Sequence, residues 1–533
     1  MIHGALPVLS VLSAIIAIWS LRQPMSSSLF LLRFPPALGS DLSLRVQLDE
    51  WGRLFGLSLL LPALAMAGLS LTALFSDAGD ASDLPVWPRW LLLLAAAYAP
   101  LVAADWLTLA AALALFDLVC LAVSAHRGEC GGWGFLTNGL GELMLLAAAF
   151  VLFQGNRSLA LVGSEPLLPL AALLIAVAAL VHLAPYPFHF WLPDPQDMPL
   201  PTWRWLARLL PVSMGLYLVT RLTSLLDGTG PMGHLALFVG IVGCLAAALL
   251  AWLTAQHEPK RAIVFIGLYQ TNLSLLSWAV LGESLTAFWM VLNLVLGTTA
   301  LAMHWTWSNN KDGEPSIWWA AIPGAVAAAA LAGLPLTVGL FVRLPLYRAL
   351  LFNRLAGWLA LFLLAESVLT ATLLRVWGGL DPDRFTRRRE GGRPPWSSWG
   401  AAALLVVPLL ILGLHPSLVA WLAGIPSSGG FVVLPTSDQL ARVGIGTWAA
   451  FLLPLVMGYG VYRSGLAWPQ EMADVEARLA SGLRLSWLHR AAARSLGQAR
   501  QVLWFVGAVL HGEGYLAWMS FSLLLIFLLV LSR

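Results

Sequence analysis

The chain has 533 residues, 59% of them hydrophobic and only 11% charged, with a formal net charge of +3 and a mean hydropathy of +0.80. This composition excludes an ordinary soluble domain. A membrane-spanning helix needs about 20 mostly apolar residues, and roughly fifteen stretches of this chain meet that criterion. We therefore predict an all-α polytopic membrane protein with about 14–16 transmembrane helices.

The reactive residue types form no pattern that is typical of an enzyme. Cys120, Cys130 and Cys244 form no Cys-x-x-Cys pair, so they do not indicate a metal or redox site. The sequence also contains no nucleotide-binding loop and no nucleophile–base pair. We therefore expect that the chain is not itself an enzyme and that it holds no metal or cofactor.

The N-terminal part is predicted to form helices around one long polar loop. An apolar run near 4–21 lacks the basic start and the small-residue cleavage site of a signal peptide, so we expect a retained helix. The polar, proline-bearing loop 22–50 could hold a short hairpin. Further helices are predicted near 51–75 and 88–104.

Two of the next helices carry acidic residues within apolar sequence. Asp117 lies in the predicted helix 105–125, roughly a dozen residues from its start and thus near the middle of the membrane by helical rise. Glu142 lies in the predicted helix 135–154. Because a carboxylate in hydrocarbon is costly, such residues usually face the interior of a bundle and mark ion pathways. The alternative is an acid that pairs with an arginine for structural reasons alone.

Residues 182–221 form the most informative stretch. A predicted helix, 165–184, leads into a segment that is rich in proline. Proline removes a backbone donor, so no continuous helix crosses this segment, and broken helices of this kind often carry the binding site of a transporter. The prolines are Pro185, Pro187, Pro193, Pro195, Pro199 and Pro201.

The same stretch resembles the antiporter-like subunits of respiratory complex I (subunit L type) and of the Mrp sodium/proton antiporters. In that family a lysine precedes a Pro-Leu-His-x-Trp-Leu-Pro-Asp run, which is followed by Gly-Pro-x-Pro and by a helix that ends near Tyr-Leu-x-x-Arg. The resemblance covers roughly residues 45–375. The matches in this stretch are Pro187, His189, Trp191, Leu192, Pro193, Asp194, Pro199, Pro201, Gly215, Tyr217, Leu218 and Arg221.

The resemblance implies a proton path that includes Asp117, Glu142 and His182. The family has a glutamate at the position of Asp117, and it pairs with a lysine at the position of His182. Free lysine has a pKa of about 10.4 and free histidine one of about 6.5, so a histidine is nearly balanced between its two protonation states at physiological pH. The alternative for His182 is a hydrogen-bonded core histidine.

Arg204 and Arg208 lie one helical turn apart in the predicted helix 201–224. Arginine keeps its proton, so Arg208 would act in the proton pathway as an electrostatic gate or as a partner for Asp117 or Glu142. Other charged or titratable residues near helix ends are expected at the membrane interface, namely Asp105, Arg221 and His304.

The central part follows the family pattern with a departure in its relay residues. After helix 234–255, a loop resembles the family's Asp-Ile-Lys-Arg entry to the central helix and places Lys260 on its lysine. The resemblance assigns Lys260 to the proton pathway, although a lysine at a helix entrance could simply reach to the interface. In helix 284–306 the family's mid-membrane histidine and lysine correspond to Asn293 and Gly297, so we expect an incomplete central relay.

A second interrupted helix is predicted near 320–350, where Arg343 stands on a lysine of the family. Two broken helices, one in each half, indicate inverted repeats. Arg343 keeps its proton, so it would set an electric field in the pathway rather than relay a proton. The predicted helix 355–377 contains Glu366, which either belongs to the proton pathway or only pairs with Arg343 or Arg375.

The C-terminal part differs in character. We divide the chain into an antiporter-like transmembrane domain, 1–465, and a C-terminal segment, 466–533. In this segment apolar residues recur at every fourth position of 469–500, which predicts a short amphipathic helix on the membrane surface. A last transmembrane helix is predicted at 514–531.

Loop charges predict the orientation of the chain. The loop 384–393 is rich in arginine, which favours the cytoplasmic side. The loop 415–443 is nearly free of positive charge and is expected on the opposite side, since helix 398–414 separates the two loops. Helix 445–463 then returns the chain to the cytoplasmic side.

Within the family, the chain most resembles the membrane subunit of the DAB inorganic-carbon accumulation complexes, because it is short and its relay residues are altered. This resemblance implies a proton-conducting subunit of the bacterial inner membrane that drives CO2 hydration in a DabA-like soluble zinc protein at the cytoplasmic face. The alternatives are a proton-pumping subunit of a complex I-like NADH:quinone oxidoreductase, a subunit of an Mrp-type antiporter, and a membrane scaffold that conducts nothing.

Overall fold

The chain divides into two compact units, Met1–Ala467 and Trp468–Arg533. In the second unit the structure describes isolated helical positions such as Arg478 and Arg494. In the first unit, this computed structural model describes residues 29–33, 43–75, 86–125, 132–155, 157–161, 167–189, 203–223, 230–282, 284–308, 321–353, 355–378, 396–416, 418 and 444–464.

A two-stranded antiparallel hairpin lies within the polar loop where the sequence predicted one. Strand β1, Leu29–Arg33, pairs with strand β2, Ser43–Val46. Beyond β2 the amide of Gln47 donates a hydrogen bond to the carbonyl of Val102 at 2.7 Å. The hairpin is therefore attached to the loop that leads into the helix carrying Asp117.

The first half of the bundle consists of helices whose bounds agree with the prediction to within a few residues. Their long apolar runs favour helices, because a helix satisfies all of its backbone groups internally. A 3-10 turn, Ala99–Val102, extends the second helix. The helices are α1 (Glu50–Phe75), α2 (Val86–Tyr98), α3 (Trp106–Ala125), α4 (Gly132–Gln154), α5 (Pro169–Leu183) and α6 (Trp203–Thr223).

The second half is also helical and contains one irregular turn that the sequence did not predict. A π-turn, Asn293–Gly297, connects two helical pieces of one span. The helices are α7 (Gly230–Ala255), α8 (Pro259–Leu281), α9 (Ser284–Leu292), α10 (Thr298–Ser308), α11 (Ala321–Ala332), α12 (Leu340–Phe352), α13 (Ala356–Gly378), α14 (Trp396–Leu414) and α15 (Ile445–Arg463).

The first predicted interruption follows α5. This helix ends at Leu183, and Ala184 adopts a left-handed φ of 48°. A turn with a cis peptide bond between Tyr186 and Pro187 comes next. The ring of His189 then stacks on that of Tyr186, with 5.3 Å between the centroids. The other prolines of the segment, from Pro193 to Pro201, lie outside the described residues.

The second predicted interruption separates α11 from α12. Gly333 has a φ of 77°, which glycine adopts at little cost. A Cβ atom at Gly333 would lie 2.3 Å from Cδ of Arg343. Both the backbone conformation and the available space therefore require glycine, and the break brings Arg343 against the end of α11.

The polytopic all-α membrane class is confirmed in the part of the chain that the structure describes. Six shorter apolar helices accompany six helices that are long and apolar enough to span a bilayer. The predicted spans near 4–21 and 514–531 lie outside the described residues. The six long segments are Thr137–Gln154, Gly233–Ala255, Pro259–Leu281, Thr286–Thr306, Ala356–Gly378 and Ile445–Arg463.

The bundle exposes large apolar side chains on its outer surface. Examples are Leu118 on α3, Leu143 and Phe150 on α4, and Leu235 on α7. A soluble protein rarely exposes so many apolar side chains, whereas a lipid-facing surface requires them. Inside, α3, α4, α5 and α6 pack in succession, and α13 packs against α7 and α15.

Several predictions fall on parts of the chain outside the described residues. These are the arginine-rich loop 384–393, all but three residues of the loop 415–443, and most of the predicted amphipathic helix 469–500. The side chains of Arg204 and Arg208 also lie outside the description. The orientation, the surface helix and the role of these arginines therefore stay predictions.

Candidate functional site

The structure brings three predicted site residues together in the first half of the bundle. Asp117 on α3, Glu142 on α4 and His182 on α5 each offer one oxygen or nitrogen atom, and these atoms all lie within 4.8 Å of one another. All three residues are buried, and His182 has an exposed fraction of 0%. We call these three residues the acid–histidine cluster.

Two glycines allow the helices around this cluster to approach closely. A Cβ atom at Gly141 on α4 would lie 2.7 Å from Cε1 of His182. A Cβ atom at Gly215 on α6 would lie 2.3 Å from the backbone nitrogen of Leu183. Real Cβ atoms essentially never show such short contacts. Because glycine has no side chain at either position, α4 and α6 can both pack closely against α5.

The hydrogen bonds of the cluster leave several polar atoms without a partner. Nδ1 of His182 lies 2.9 Å from the carbonyl oxygen of Ala178. Nδ2 of Asn138 donates to Oδ1 of Asp117 at 3.3 Å. Four buried atoms of these described residues have no hydrogen-bond partner, and they are Asp117 Oδ2, Asn138 Oδ1, Glu142 Oε1 and His182 Nε2.

The tautomer of His182 follows from its neighbour. A carbonyl oxygen can only accept, so Nδ1 carries the hydrogen in the neutral ring and Nε2 is left as an acceptor. The ring can therefore receive a proton, or bind another cation, at Nε2. This is the chemistry that a proton path requires of the position.

A second buried group forms around Arg343 on α12. Its Nε donates to Oε1 of Glu366 on α13 at 2.8 Å. The hydroxyl of Tyr269 on α8 donates to the same oxygen at 2.8 Å. Arg343 also donates to the carbonyl oxygen of Leu331 at the broken end of α11. We call Arg343, Glu366 and Tyr269 the ion-pair group.

The ion-pair group settles one alternative left open by the sequence. Glu366 pairs with Arg343, and the guanidinium of Arg375 instead lies over the ring of Trp252, 3.6 Å from its centroid. Arg375 has other interactions as well. The pairing does not decide whether Glu366 also serves ion movement, which stays a prediction.

Polar side chains extend from the ion-pair group to the middle of the molecule. Nε2 of Gln270 on α8 donates to the carbonyl of Leu331 at 3.2 Å, the same oxygen that accepts from Arg343. Nδ2 of Asn293 in the π-turn lies 3.5 Å from Oε1 of Gln270. A buried polar path therefore leads from Asn293 to Glu366.

The π-turn occupies the positions that the resemblance assigns to the family's central relay. Gly297 packs so closely that a Cβ atom there would lie 3.0 Å from Cγ of Leu331. A lysine at this position would need Leu331 to move. The expectation of an incomplete central relay stays a prediction. The sequence pattern predicted neither the π-turn nor a role for Tyr269. The one feature of the sequence that points to Tyr269 is a residue with a hydroxyl group next to Gln270 in an apolar helix.

Lys260 lies apart from both groups. It lies in the first turn of α8, and its Nζ lies 5.1 Å from the ring centroid of Trp305. The ten residues to Gln270 correspond to about 15 Å of helix. The contact with Trp305 is a cation–π interaction, and a role for Lys260 in ion entry stays a prediction.

Three residues expected near the membrane interface have buried side chains with polar partners. Arg221 forms an ion pair with Asp49 and donates to the hydroxyl of Tyr217 at 2.6 Å. His304 places Nε2 at 3.2 Å from the carbonyl of Trp377. Asp105 accepts from the amide of Thr108 at 2.7 Å and so caps α3. The sequence pattern does not reveal these local partners, and the position of the three residues at the membrane interface stays a prediction.

Comparison with known proteins agrees with this architecture. Residues 106–313 match the family described as "NADH:quinone oxidoreductase/Mrp antiporter, TM". The matched region contains Asp117, Glu142, His182 and Asn293.

Two curated relatives illustrate the similarity in sequence. The chain is 25% identical over 380 residues to a Na(+)/H(+) antiporter subunit from Alkalihalophilus pseudofirmus, an alignment that covers 63% of this chain and 46% of that protein. It is 24% identical over 267 residues to the probable inorganic carbon transporter subunit DabB1 of Halothiobacillus neapolitanus, which covers 45% of this chain and 47% of that protein. The aligned regions thus span about half the length of these relatives.

Two solved structures share the fold. A chain of the Mrp complex from Dietzia sp. DQ12-45-1b matches 97% of this chain and 60% of its own length, with a TM-score of 0.71 and 21% identity. A chain of the membrane-bound sulfane sulfur reductase, an archaeal respiratory membrane complex, matches 100% of this chain and 98% of its own, with a TM-score of 0.71 and 16% identity. The protein is therefore a polytopic membrane protein whose residues 106–313 match the transmembrane domain of the NADH:quinone oxidoreductase/Mrp antiporter family.

Proposed function

We propose that the chain is a membrane subunit that conducts cations, and that protons pass through the acid–histidine cluster in its first half. The observation that carries this proposal is the convergence of Asp117, Glu142 and His182 from three helices at a buried point of the matched domain. Buried acids in membrane helices are expensive, and they usually mark ion pathways.

The chemistry of the cluster suits proton transfer. Two carboxylates so close together in an apolar surrounding repel each other, so they favour a shared proton over two negative charges. Nε2 of His182 has no hydrogen-bond partner and can accept that proton. A histidine exchanges protons near physiological pH with a smaller free-energy change than the lysine that the family has at this position.

The second half has a different character, and we propose that it sets an electric field rather than carrying protons. Arg343 keeps its proton and is paired with Glu366. Its further bond to the carbonyl of Leu331 holds the broken end of α11. A fixed positive charge at this point would repel other cations.

The finer proposal concerns what the proton flow drives. The similarity to DabB1 and the altered relay residues Asn293 and Gly297 support a role in an inorganic-carbon transporter. In this proposal, protons enter down their gradient across a bacterial inner membrane and energise CO2 hydration by a DabA-like soluble zinc protein at the cytoplasmic face.

A subunit of an Mrp-type sodium/proton antiporter is the second candidate, because the alignment with the antiporter protein of Alkalihalophilus pseudofirmus covers more of the chain than that with DabB1. A proton-pumping subunit of a complex I-like NADH:quinone oxidoreductase is the third candidate. Purification of the tagged chain in mild detergent, followed by mass spectrometry, separates them. A soluble zinc protein as the main partner supports carbon accumulation. Several small membrane subunits support an antiporter, and flavin or iron–sulfur proteins support a respiratory complex.

Uptake of CO2 in cells tests the proposed role directly. We expect His182→Ala and Asp117→Asn to abolish cation-dependent uptake while the chain remains in the membrane. His234→Gln is the matched control, because His234 is an exposed histidine on α7. Normal uptake in both cluster variants, with an intact complex, would instead support a scaffold that conducts nothing.

A further inference from the structure

We propose that Asp117, Glu142 and His182 also bind one divalent transition-metal ion, for which Zn²⁺ is a suitable probe. The same three residues form the proposed proton path, but the ligand here is a metal ion. Whether the metal ion binds does not depend on whether protons pass. The donors come from three helices rather than from one surface patch, and all three are buried. Their donor atoms lie within 4.8 Å of one another.

His182 is the first observation that points to a ligand. Its Nδ1 bonds the carbonyl of Ala178 at 2.9 Å, and its Nε2 is buried without a partner. Histidines that bind metals usually donate their second ring nitrogen to a carbonyl or carboxylate, which fixes the tautomer and directs the free nitrogen to the metal. His182 has its Nδ1 fixed in this way, and its Nε2 is left free.

Asn138 is the second observation. Its Nδ2 donates to Oδ1 of Asp117 at 3.3 Å and so orients that carboxylate. Its own Oδ1 is buried and has no partner, as is Oδ2 of Asp117. A buried acceptor without a hydrogen-bond partner destabilises the folded chain. A cation would satisfy these acceptors together, and Asn138 could supply a fourth donor oxygen.

The donor set selects the class of cation. Imidazole nitrogen with carboxylate oxygen suits zinc and neighbouring transition metals. Calcium takes about 6–8 oxygen ligands, and magnesium prefers an octahedral set of oxygens and waters, which three protein donors with one nitrogen do not provide. Two carboxylates also balance a charge of +2, which matters in an apolar surrounding.

The distances allow the site to close around a metal ion. Zinc binds nitrogen and oxygen at about 2.0–2.2 Å, which corresponds to donors roughly 3.3 Å apart in a tetrahedron. The donor atoms must therefore move together by less than the diameter of one water molecule. The Glu142 side chain has three rotatable bonds, so its rotation can contribute to this movement.

A bound metal ion would occupy the atoms that are proposed to carry protons. If the proposed function is correct, metal binding would stop conduction by excluding the proton from Nε2 of His182. This consequence rests on the proposed function, whereas the binding itself does not. The two are therefore measured separately.

The test is a Zn²⁺ titration of the purified full chain in detergent after treatment with a chelator. We expect one ion per chain, with an affinity that falls at least tenfold in Asp117→Asn, Glu142→Gln and His182→Gln. His234→Gln and His415→Gln are the controls, because both histidines are exposed and could bind zinc adventitiously. Equal binding by wild type and the cluster variants, or loss of binding in the exposed-histidine variants, would overturn the proposal.

Zinc-edge X-ray absorption on the wild-type chain avoids the question of whether the variants fold. We expect a shell of nitrogen and oxygen at about 2.0–2.2 Å with the signature of a single imidazole. Two or more imidazoles, or a sulfur ligand, would overturn the site. If zinc binds as expected while proton flux is absent with and without metal, the proposed function fails and the metal site stands.

Discussion

Position 141 determines how closely α4 can approach His182. A Cβ atom at Gly141 would lie 2.7 Å from the histidine ring, whereas one at Gly139, half a turn away, would meet nothing within 4 Å. We expect Gly141→Ala to lower the free energy of unfolding by about 1–3 kcal/mol, the usual effect of overpacking. Denaturant unfolding in detergent, followed by circular dichroism, measures the change.

Gly139→Ala is the matched control on the same helix. It adds the same methyl group without a clash, so we expect no loss and a gain of up to about 1 kcal/mol from helix propensity. If both substitutions lowered the free energy of unfolding equally, α4 would not approach His182 as closely at position 141 as the structure shows.

Arg343 illustrates what a buried ion pair demands. Removing one partner leaves an uncompensated charge, which typically costs about 3–5 kcal/mol. We expect Arg343→Met to lower the melting temperature of the complex strongly. The Glu366 carboxylate would then be buried without its positive partner and would keep only the hydrogen bond from Tyr269. Differential scanning fluorimetry in detergent measures the change.

Arg348 lies on the same helix as Arg343 but is exposed, so Arg348→Met should have little effect. The double substitution Arg343→Met with Glu366→Leu removes both charges and should recover part of the loss, because apolar pairs often replace buried ion pairs without cost. An Arg343→Met protein as stable as the wild type would contradict the ion pair.

At the scale of elements, the π-turn determines what the centre of the molecule can carry. Gly297 faces Leu331, with 3.0 Å between an added Cβ atom and Cγ of Leu331. We expect Gly297→Lys, which introduces the residue that the family resemblance assigns to this position, to destabilise the chain by about 1–3 kcal/mol. Leu331→Ala combined with Gly297→Lys should be more stable than Gly297→Lys alone. Additive losses in the double variant, measured by thermal unfolding, would contradict this packing.

The break between α11 and α12 depends on one glycine. Gly333 has a φ of 77°, and an added Cβ atom would contact Arg343. Gly333→Ala should destabilise the chain, while Gly357→Ala, where an added Cβ atom meets nothing within 4 Å, should change stability by less than about 0.5 kcal/mol. The same unfolding assay compares them. If Gly333→Ala is as mild as Gly357→Ala, the break does not require glycine.

The two interruptions and the N-terminal hairpin were predictable because proline, glycine and polar residues mark them in the sequence. The π-turn Asn293–Gly297 was not, since it differs from an α-helix by one extra residue and no proline or glycine cluster marks it in a mostly apolar span. The close packing of Gly297 against Leu331 depends on how two helices are rotated relative to each other, and this rotation cannot be read from the amino-acid composition.

For the whole molecule, the sequence identified the titratable residues but only some of their partners. Asp117, Glu142 and His182 were recognisable as acids and a histidine within apolar runs, and the family resemblance connected them. The bond from Asn138 to Asp117 and the bond from Tyr269 to Glu366 join different helices of the bundle. Such pairs depend on packing, so the sequence alone could not predict them.

The two halves of the bundle contain different polar groups, and this asymmetry is central to the account. The first half has groups that can gain and lose a proton, with free atoms on each. The second half has a paired, permanently charged arginine. If the first half conducts protons and the second half only sets an electric field, substitutions in the first half should reduce proton flux more than charge-conserving substitutions in the second.

Proton flux into vesicles that hold the purified complex tests this claim most directly. With an imposed potential and a pH-sensitive dye inside the vesicles, the account predicts that Asp117→Asn and His182→Gln abolish flux. Arg343→Lys, which keeps the charge beside Glu366, should retain most of it. Full flux in both first-half variants, or loss of flux in Arg343→Lys alone, would contradict the assignment of the proton path to the acid–histidine cluster.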